Sequence, residues 1–264
     1  MLLTEPKHPP RSGPPSARYE VGRGNILAEA LLERGHEPVM WWDHPEGDLV
    51  DVEPDLVSLR SSLPIQIARA RSFEADGVPC INAPSAHVAA SDKLAQAVAM
   101  EAAGVPHIET HGDGGGWEPS GVVVVKPRIG SSGHGVRLAD SGSLARQADE
   151  LVQRFVPAAL ELRCTVVDGR PFGWSRRRPQ EGDFRANLAQ GGTMETVDGP
   201  EAAGEIAAEA VRLLGLEIAG VDLLIEEGEA KILEINAATT LHGPTPQSTA
   251  DVLAAVIDLF EVTT

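Results

Sequence analysis

The chain has 264 residues, with 22 Lys and Arg against 39 Asp and Glu, which gives a formal net charge of −17. This acidic balance excludes the broad basic face that general nucleic-acid and anionic-membrane binders need, so we expect neither partner. At roughly 150 residues per domain, the length predicts about two domains.

The chain carries two cysteines, Cys80 and Cys164, and each stands alone in an apolar run rather than in metal-ligand spacing. Buried free thiols are the preferred interpretation, since a reducing cytosol keeps them unpaired. The N-terminal residues lack the pattern of a signal peptide, and no apolar run approaches the roughly 18 residues of a membrane span. We therefore expect a cytoplasmic protein.

The first part of the chain predicts a small parallel α/β unit of about 85 residues, because strands and helices alternate at short spacing. Residues 6–24, rich in Pro, Gly and Arg, predict a loop, and a mobile surface loop is favoured over one that faces the substrate. The elements that follow are a helix over 25–34, a strand over 38–42, a strand over 55–59, a helix over 65–75 and a strand over 78–82.

After a predicted boundary at 82–85, the elements no longer alternate simply, which indicates an α+β unit. Ser91 is the expected N-cap of a strong helix that stops at Gly104. The remaining predicted elements are a glycine-rich linker over 111–117, strands at 121–126, 161–167 and 171–176, helices near 201–214 and 249–260, and a strand pair over 219–235.

A glycine-rich segment follows the strand that ends at Lys126. Three glycines and two serines lie between this lysine and the β-like run 136–138. Such a loop offers unhindered backbone N–H groups that can surround phosphate oxygens, so we expect a nucleotide triphosphate lid between two antiparallel strands. The spacing is neither a Walker A loop nor GxGxxG. The alternative is a flexible hairpin that binds no ligand.

Residues 219–236 predict a β-hairpin whose register decides which side chains meet. A three-residue loop would pair Glu226 with Ala230 and would place Asp222 opposite Glu234. A two-residue loop would place Asp222 on the other face.

With the three-residue loop, the oxygen atoms of Asp222, Glu234 and Asn236 converge on one patch of the sheet. Carboxylate and amide oxygens are ligands suited to Mg²⁺ that is held together with substrate phosphates. A solvated acidic face is the alternative in so acidic a chain. Metal binding is favoured because both acids are flanked by apolar residues, and a half-buried unpaired carboxylate is costly.

The segment 176–192 concentrates cationic side chains in an acidic protein. Its four arginines are Arg176, Arg177, Arg178 and Arg185. Guanidinium groups recognise carboxylates and phosphates through two parallel hydrogen bonds, and Asn187 could bind metal or phosphate. A solvated basic patch that pairs with surface acids is an equally good interpretation of this segment alone.

In their order and spacing, these segments resemble an ATP-grasp ligase, nearest to the RimK-like glutamate ligases and to relatives that join amino acids to a carboxylate. The resemblance covers residues 78–245. Its motifs are Ser91-Asp92-Lys93-Leu94, the lid from Lys126 to Val136, the run 182–188 followed by Gly191-Gly192, and Asp222 with Glu234-Ile235-Asn236.

The resemblance implies a fold of mixed α/β and α+β class: an ATP-grasp fold preceded by a small Rossmann-like, pre-ATP-grasp α/β domain. It would divide the chain into residues 1–84 and 85–264, the second with a lid subdomain near 107–154 and a C-terminal subdomain near 155–264.

The resemblance also implies roles for individual positions. The ATP phosphates would be bound by the lysines and the lid, which are Lys93, Lys126, Gly130, Ser131, Ser132 and Gly133. The hinge that reads adenine and the acid near the ribose would be Gln153, Phe155, Val156 and Glu161. Mg²⁺, with Mn²⁺ as an alternative, would be held by Asp222, Glu234 and Asn236. The catalytic residues that face the γ-phosphate and the reacting carboxylate would be Arg163, Arg178 and Asn187.

Three departures from the family pattern bear on this resemblance. Arg154 replaces an acid in the hinge, and Gln190 replaces a basic residue before Gly191-Gly192. Residues 237–243 lack the usual small-Pro-Gly turn. The last two changes concern the identity of the substrate rather than the use of ATP.

The implied reaction is ATP-dependent joining of a carboxylate to an amine through an acyl phosphate, with release of ADP. The expected partners are small-molecule carboxylate and amine substrates such as glutamate, in a homo-oligomer. A protein or peptide acceptor is the alternative. His242 is a candidate base for the amine, although a loop histidine without a catalytic role is preferred. The rival functions are a nucleotide-binding module without catalysis and a phosphotransferase.

Overall fold

A computed structural model describes residues 2–4, 26–41, 53–112, 120–130, 133–144, 147–157 and 160–264. The predicted loop at 6–24 and residues 113–117 of the predicted linker lie outside the described residues.

The N-terminal part contains a four-stranded parallel sheet, which confirms the predicted α/β arrangement. The strands are β1 (Leu2–Thr4), β2 (Val39–Trp41), β3 (Val57–Leu59) and β4 (Cys80–Ile81), in the order β2-β1-β3-β4. The helices are α1 (Ile26–Glu33) and α2 (Pro64–Ala75). Strand β1 was not predicted, because three residues are too few to show the alternation of a strand.

The strong helix that the sequence predicts before Gly104 is α4 (Lys93–Ala103). A short helix that was not predicted, α3 (Pro84–Ala89), precedes it at the predicted boundary. The expected N-cap at Ser91 is wrong, because its hydroxyl donates to the Val88 carbonyl at 2.6 Å. Asp92 caps α4 instead, accepting a hydrogen bond from the Leu94 amide at 3.0 Å. Helix α4 ends as predicted at Gly104, which adopts a left-handed conformation with φ 72°.

The central part is a four-stranded antiparallel sheet in the order β5-β8-β6-β7. Its strands are β5 (Thr110–His111), β6 (Val122–Pro127), β7 (Arg137–Asp140) and β8 (Glu150–Arg154). Strands β6 and β7 pair antiparallel and flank the glycine-rich segment, which confirms the predicted strand arrangement around the lid.

The C-terminal part is a five-stranded antiparallel sheet in the order β11-β10-β9-β12-β13. Its strands are β9 (Leu160–Val167), β10 (Arg170–Arg178), β11 (Thr193–Thr196), β12 (Ile218–Glu226) and β13 (Glu229–Asn236). The helices are α5 (Glu201–Leu213) and α6 (Pro246–Thr263). Helix α6 begins earlier than predicted because Thr245 and Ser248 form a capping box in front of it.

The two faces of this sheet differ in chemistry because side chains alternate along each strand. Cys164, Val221 and Leu223 are fully buried in the core that includes alanines of α5. The neighbouring residues Arg163 and Asp222 therefore point to the opposite face. None of the helices in the described residues is long and apolar enough to cross a membrane.

Asn82 joins the N-terminal part to the C-terminal sheet at the predicted boundary. Its buried side-chain amide donates to the Ile218 carbonyl at 2.7 Å and accepts from the Ile218 amide at 2.9 Å. A second core connects the same two parts, because Leu27 and Leu31 of α1 pack with Val256 and Phe260 of α6. The division into domains at residue 84 stays a prediction.

The buried histidine of α3 makes stability depend on pH. The His87 side chain is fully buried, and burial lowers its pKa to about 4, against about 6.5 in an unfolded chain. The unfolded state then takes up the proton first as pH falls. The stability that the neutral ring contributes is therefore present above pH 6.5 and is lost as pH falls towards 4.

We expect His87 to lower the unfolding free energy of wild type by about 2 kcal/mol between pH 7 and pH 5, and we expect His87→Gln to lack this contribution. Urea unfolding at pH 7 and at pH 5 measures the unfolding free energy of both proteins. The control is His242→Gln, which removes an exposed imidazole and keeps the wild-type pH dependence. The same pH dependence in wild type and His87→Gln would contradict the assignment.

Candidate active site

A cavity of about 370 Å³ lies between the central sheet and the polar face of the C-terminal sheet. Most of the predicted site residues line it. They are Lys93, Lys126, Gly130, Gly133, Gln153, Phe155, Val156, Glu161, Asn187, Asp222 and Glu234. Two further predicted residues, Arg163 and Asn236, contact Asp222 from beside the cavity. Ser131 and Ser132 lie outside the described residues.

The hairpin of β12 and β13 pairs Asp222 with Glu234 as predicted, but its turn is not the predicted one. Its turn has two residues, because Glu226 pairs with Glu229 and not, as expected, with Ala230. A β-bulge then inserts Leu233 into β13, and from that point Asp222 lies opposite Glu234. The predicted loop length is wrong, but the extra residue of the bulge places Asp222 and Glu234 on the same face of the sheet, as predicted.

Asp222 is the centre of a buried polar cluster and is only 3% exposed. Its Oδ2 accepts from Arg163 Nη1 at 2.7 Å and from Asn236 Nδ2 at 3.1 Å, while Arg177 Nη1 lies 3.2 Å from Oδ1. Burial alone would raise the pKa of Asp222, but the two guanidinium groups outweigh it and hold the pKa below its usual range. Asp222 is therefore an ionised carboxylate in the interior.

The acidic members of this cluster fit a divalent cation that is shared with phosphate groups. Asp222 Oδ1 is buried and accepts no hydrogen bond from the described residues. Asn236 Nδ2 also contacts Glu234 Oε1 at 3.2 Å, so two carboxylates and one amide group converge. The described residues contain no group of three or more His, Cys, Asp and Glu side chains that could hold a metal alone. A cation here needs further oxygen ligands, which phosphates supply.

Two lysines approach the cavity from different elements. Lys126 at the end of β6 is only 4% exposed, and its Nζ lies 3.9 Å from Glu234 Oε2. Burial is the main cause that lowers the pKa of Lys126 to about 8. Lys93 is the first residue of α4, and its Nζ donates to the Gly130 carbonyl at 2.5 Å. Both ammonium groups are thus held next to the base of the lid.

Glu161 of β9 carries a raised pKa of about 8. Burial is the largest cause, and the nearby Asp222 charge is the next. A carboxyl that holds its proton to this pH can donate a hydrogen bond as well as accept one. The site therefore places a neutral acid beside the ionised Asp222.

Part of the cavity lining is apolar. These side chains come from both sheets, from the residues after β8 and from the loop after β10: Val124, Phe155, Val156, Phe184, Leu224 and Leu233. The rings of Phe155 and Phe184 meet edge to face with their centroids 6.0 Å apart. Flat apolar walls of this kind suit an aromatic base. Phe184, Leu224 and Leu233 were not predicted as site residues. Strand register and the bulge bring Leu224 and Leu233 to the cavity, and Phe184 reaches it from a loop.

Arg178 does not join the cluster, although it was assigned a catalytic role from the sequence. It is half exposed and donates to Glu195 on the edge strand β11 at 2.7 Å. Arg177 pairs across the strands with Glu161 and faces the cavity instead. Alternation along β10 sends the two neighbours to opposite faces, so Arg177 replaces Arg178 in the site.

The structure also shows where three other residues named in the sequence analysis lie. Arg163 lies behind Asp222 rather than in the cavity wall, and its Nη2 donates to Thr239 Oγ1 at 2.7 Å. Arg154 of the hinge lines the cavity but is held by Glu226 through two hydrogen bonds of 2.7 and 2.6 Å. His242 is exposed and is absent from the described cavity lining.

The sequence of this chain matches the RimK-like ATP-grasp domain over residues 118–260. The chain belongs to this family. The match covers strands β6 and β7, the hairpin of β12 and β13 and most of α6, so the predicted resemblance and the predicted ATP-grasp fold are confirmed.

Curated relatives that this chain matches are named probable alpha-L-glutamate ligases. A probable alpha-L-glutamate ligase of Maridesulfovibrio salexigens is 32% identical over 284 residues, covering 93% of each chain. A probable alpha-L-glutamate ligase of Xanthomonas oryzae pv. oryzae is 37% identical over 149 residues, which are 52% of this chain and 50% of that protein. The chain thus spans about half the length of the Xanthomonas relatives it matches and nearly the whole length of the Maridesulfovibrio one.

Solved structures show the same fold at lower identity. The ATP-grasp ligase PsnB, complexed with a minimal precursor, superposes with a TM-score of 0.72 at 19% identity, covering 100% of this chain and 99% of that one. A D-alanine–D-alanine ligase from Bacillus anthracis, complexed with ATP, gives a TM-score of 0.69 at 15% identity, with 99% and 97% covered.

We expect Gly133→Ala to damage nucleotide binding as well as stability. Gly133 has φ 71°, and a Cβ there would lie 2.7 Å from Asn187 Oδ1. The matched control is Gly121→Ala, which has φ 77° but no atom within 4 Å of the added Cβ. Both variants should lose about 1–2 kcal/mol of stability. Only Gly133→Ala should weaken ADP binding, by about tenfold in calorimetry. Equal ADP affinities in the two variants would contradict this view of the lid.

Proposed function

We propose that this chain is an ATP-dependent carboxylate–amine ligase that forms an amide bond through an acyl phosphate and releases ADP. The observation that carries the proposal is the composition of the cavity: apolar and aromatic side chains line it together with Lys126, Arg177 and the carboxylates of Asp222 and Glu234, which contact one another in pairs. This combination suits a nucleoside triphosphate, whose base is apolar and whose phosphates need cations.

The base would lie between Phe155, Leu224 and Leu233, next to the backbone of the hinge at Gln153–Val156. The phosphates would extend towards Lys93, Lys126 and the N–H groups of the lid. Because Lys93 already contacts the Gly130 carbonyl, closure of the lid over the phosphates needs little movement of that side chain. The neutral Glu161 would donate a hydrogen bond near the ribose.

A divalent cation, Mg²⁺ or Mn²⁺, would be held by Asp222, Glu234 and Asn236. When bound, it neutralises phosphate charge and orients the γ-phosphoryl group. Asp222 can serve this role because Arg163 keeps it ionised from behind, while no residue in the described part of the chain donates a hydrogen bond to its Oδ1. Arg163 is thus a positioning residue rather than one that touches the substrate.

Arg177 and Asn187 would act on the reacting groups. The guanidinium of Arg177 can neutralise charge that spreads over the transferred phosphoryl group, and Asn187 would orient the γ-phosphate or the carboxylate. The carboxylate oxygen attacks the γ-phosphorus, and the bond to the β-phosphate oxygen breaks. A neutral amine then attacks the acyl carbon, the bond from the acyl carbon to the phosphate oxygen breaks, and phosphate leaves with the proton that the amine loses. The lid excludes water, which would otherwise hydrolyse the acyl phosphate.

We propose amino acids as substrates, with glutamate as the first candidate for either partner. The curated relatives named probable alpha-L-glutamate ligase support this choice, and so does the D-alanine–D-alanine ligase with the same fold. A peptide acceptor is the second candidate, supported by the peptide precursors seen with PsnB. A cytoplasmic location and a homo-oligomeric state stay predictions.

The test is ADP release measured with ATP, Mg²⁺ and pools of amino acids or short peptides, each pool with and without the amine component. Release that depends on the amine supports ligation. Release without the amine would instead favour a phosphotransferase, and no release with intact nucleotide binding would favour a binding module.

We expect Glu234→Ala to abolish ADP formation, because it removes a carboxylate from the cation site. The matched control is Glu229→Ala at the start of the same strand, where the side chain is exposed; this variant should keep wild-type turnover. Mass spectrometry of the product checks both variants. Unchanged turnover in Glu234→Ala would contradict the cation assignment.

We expect Arg177→Met to lower kcat by about 100-fold, because it removes a cation that faces the transferred phosphoryl group. The neighbour Arg178→Met is the control and should stay within about threefold of wild type, since a surface ion pair with Glu195 contributes little. Single-turnover ADP formation measures both. A larger loss of kcat in Arg178→Met than in Arg177→Met would instead support the catalytic role that the resemblance implies for Arg178.

A further inference from the structure

Strand β13 carries the cation-binding carboxylate but has only one strand neighbour in the described sheet. Its outer N–H and C=O groups therefore need partners other than a strand, because buried backbone polar groups are costly when left unpaired. Ile232 finds them in the segment before β5, where its N–H donates to the Pro106 carbonyl and its carbonyl accepts from the Ile108 amide, both at 2.9 Å.

Beyond the bulge, a single side chain makes the hydrogen bonds to the outer N–H and C=O groups of Ile235. Gln96 of α4 is only 2% exposed, and its Nε2 donates to the Ile235 carbonyl at 2.7 Å. Its Oε1 accepts from the Ile235 amide at 3.0 Å. The side-chain amide thus makes the pair of hydrogen bonds that an adjacent strand would make. The same Nε2 donates to the Ala90 carbonyl at 2.6 Å, which fixes the glutamine to the turn before its own helix.

A second glutamine holds the other side of the bulge. Gln153 Nε2 donates to the Leu233 carbonyl at 3.3 Å. Residues 233 and 235 are therefore each held from the open edge of the sheet, and Glu234 lies between them. The conformation of the bulge determines where the Glu234 carboxylate points.

We propose that Gln96 is a positioning residue for the cation site, acting through the backbone of Ile235 on Glu234 and Asn236. This inference rests on the proposed function. Gln96 also stands three residues after Lys93 on α4, so one amide fixes the phosphate-binding lysine relative to the cation-binding strand. Outer residues that orient metal ligands commonly contribute about 10–100-fold to metal affinity.

The test compares Gln96→Met with Gln66→Met in the full chain. Methionine has a similar length and cannot replace the hydrogen bonds of the amide. Gln66 is the matched control because it is fully buried on α2, and its side-chain amide has no hydrogen-bond partner among the described residues. Paramagnetic resonance of free Mn²⁺ in the presence of ADP gives the cation affinity, and calorimetry without metal gives the affinity for ADP.

We expect Gln96→Met to weaken Mn²⁺ binding by at least about tenfold while metal-free ADP affinity stays within twofold of wild type. Gln66→Met should change neither. Equal Mn²⁺ affinities in wild type and in folded Gln96→Met would overturn this inference without contradicting the proposed function.

If Gln96→Met does not fold, Gln96→Glu decides by the same criterion. Its carboxylate keeps the shape and still accepts from the Ile235 amide, but when ionised it cannot donate to the Ile235 or Ala90 carbonyl. A wild-type chain that binds no Mn²⁺ with ADP would contradict the proposed function itself.

Discussion

The carboxylate of Asp222 is the constraint around which the site is built. An ionised carboxylate in the interior is expensive unless opposite charges and hydrogen bonds compensate it. Arg163 on the adjacent strand β9 and Arg177 on β10, one strand further away, provide that compensation, and Asn236 adds a hydrogen bond from β13. Among the described residues, Oδ1 faces the Arg177 guanidinium but accepts no hydrogen bond, so it can still accept the cation that we propose.

The rest of the fold places partners around this carboxylate. The α5 core occupies one face of the C-terminal sheet, so the alternating residues of β9, β12 and β13 form a polar face towards the central sheet. The bulge at Leu233 then sets Glu234 opposite Asp222, and two glutamine side chains hold the edge of β13 on either side of it. The central sheet adds Lys126 and the lid, and α4 adds Lys93.

Much of this could be predicted from the sequence, since strands, the glycine-rich lid and the acid pair depend on local pattern and on motif order. The site predictions that failed depended on strand register. A shift of one residue exchanges the two faces of a strand, so Arg178 was chosen where Arg177 faces the cavity. The hairpin prediction reached the correct pairing because the short turn and the bulge compensate each other. Neither the bulge nor Gln96 has a local signal, because their partners are distant in the chain.

The most direct test of the central claim is a crystal structure of the chain with Mg²⁺ and a non-hydrolysable ATP analogue. We predict that the cation bridges the Asp222 and Glu234 carboxylates and the phosphates, that Lys126 and Arg177 contact the phosphates, and that Arg163 stays on Asp222. A structure in which the analogue fills the cavity while the cation lies away from Asp222 and Glu234 would contradict the account.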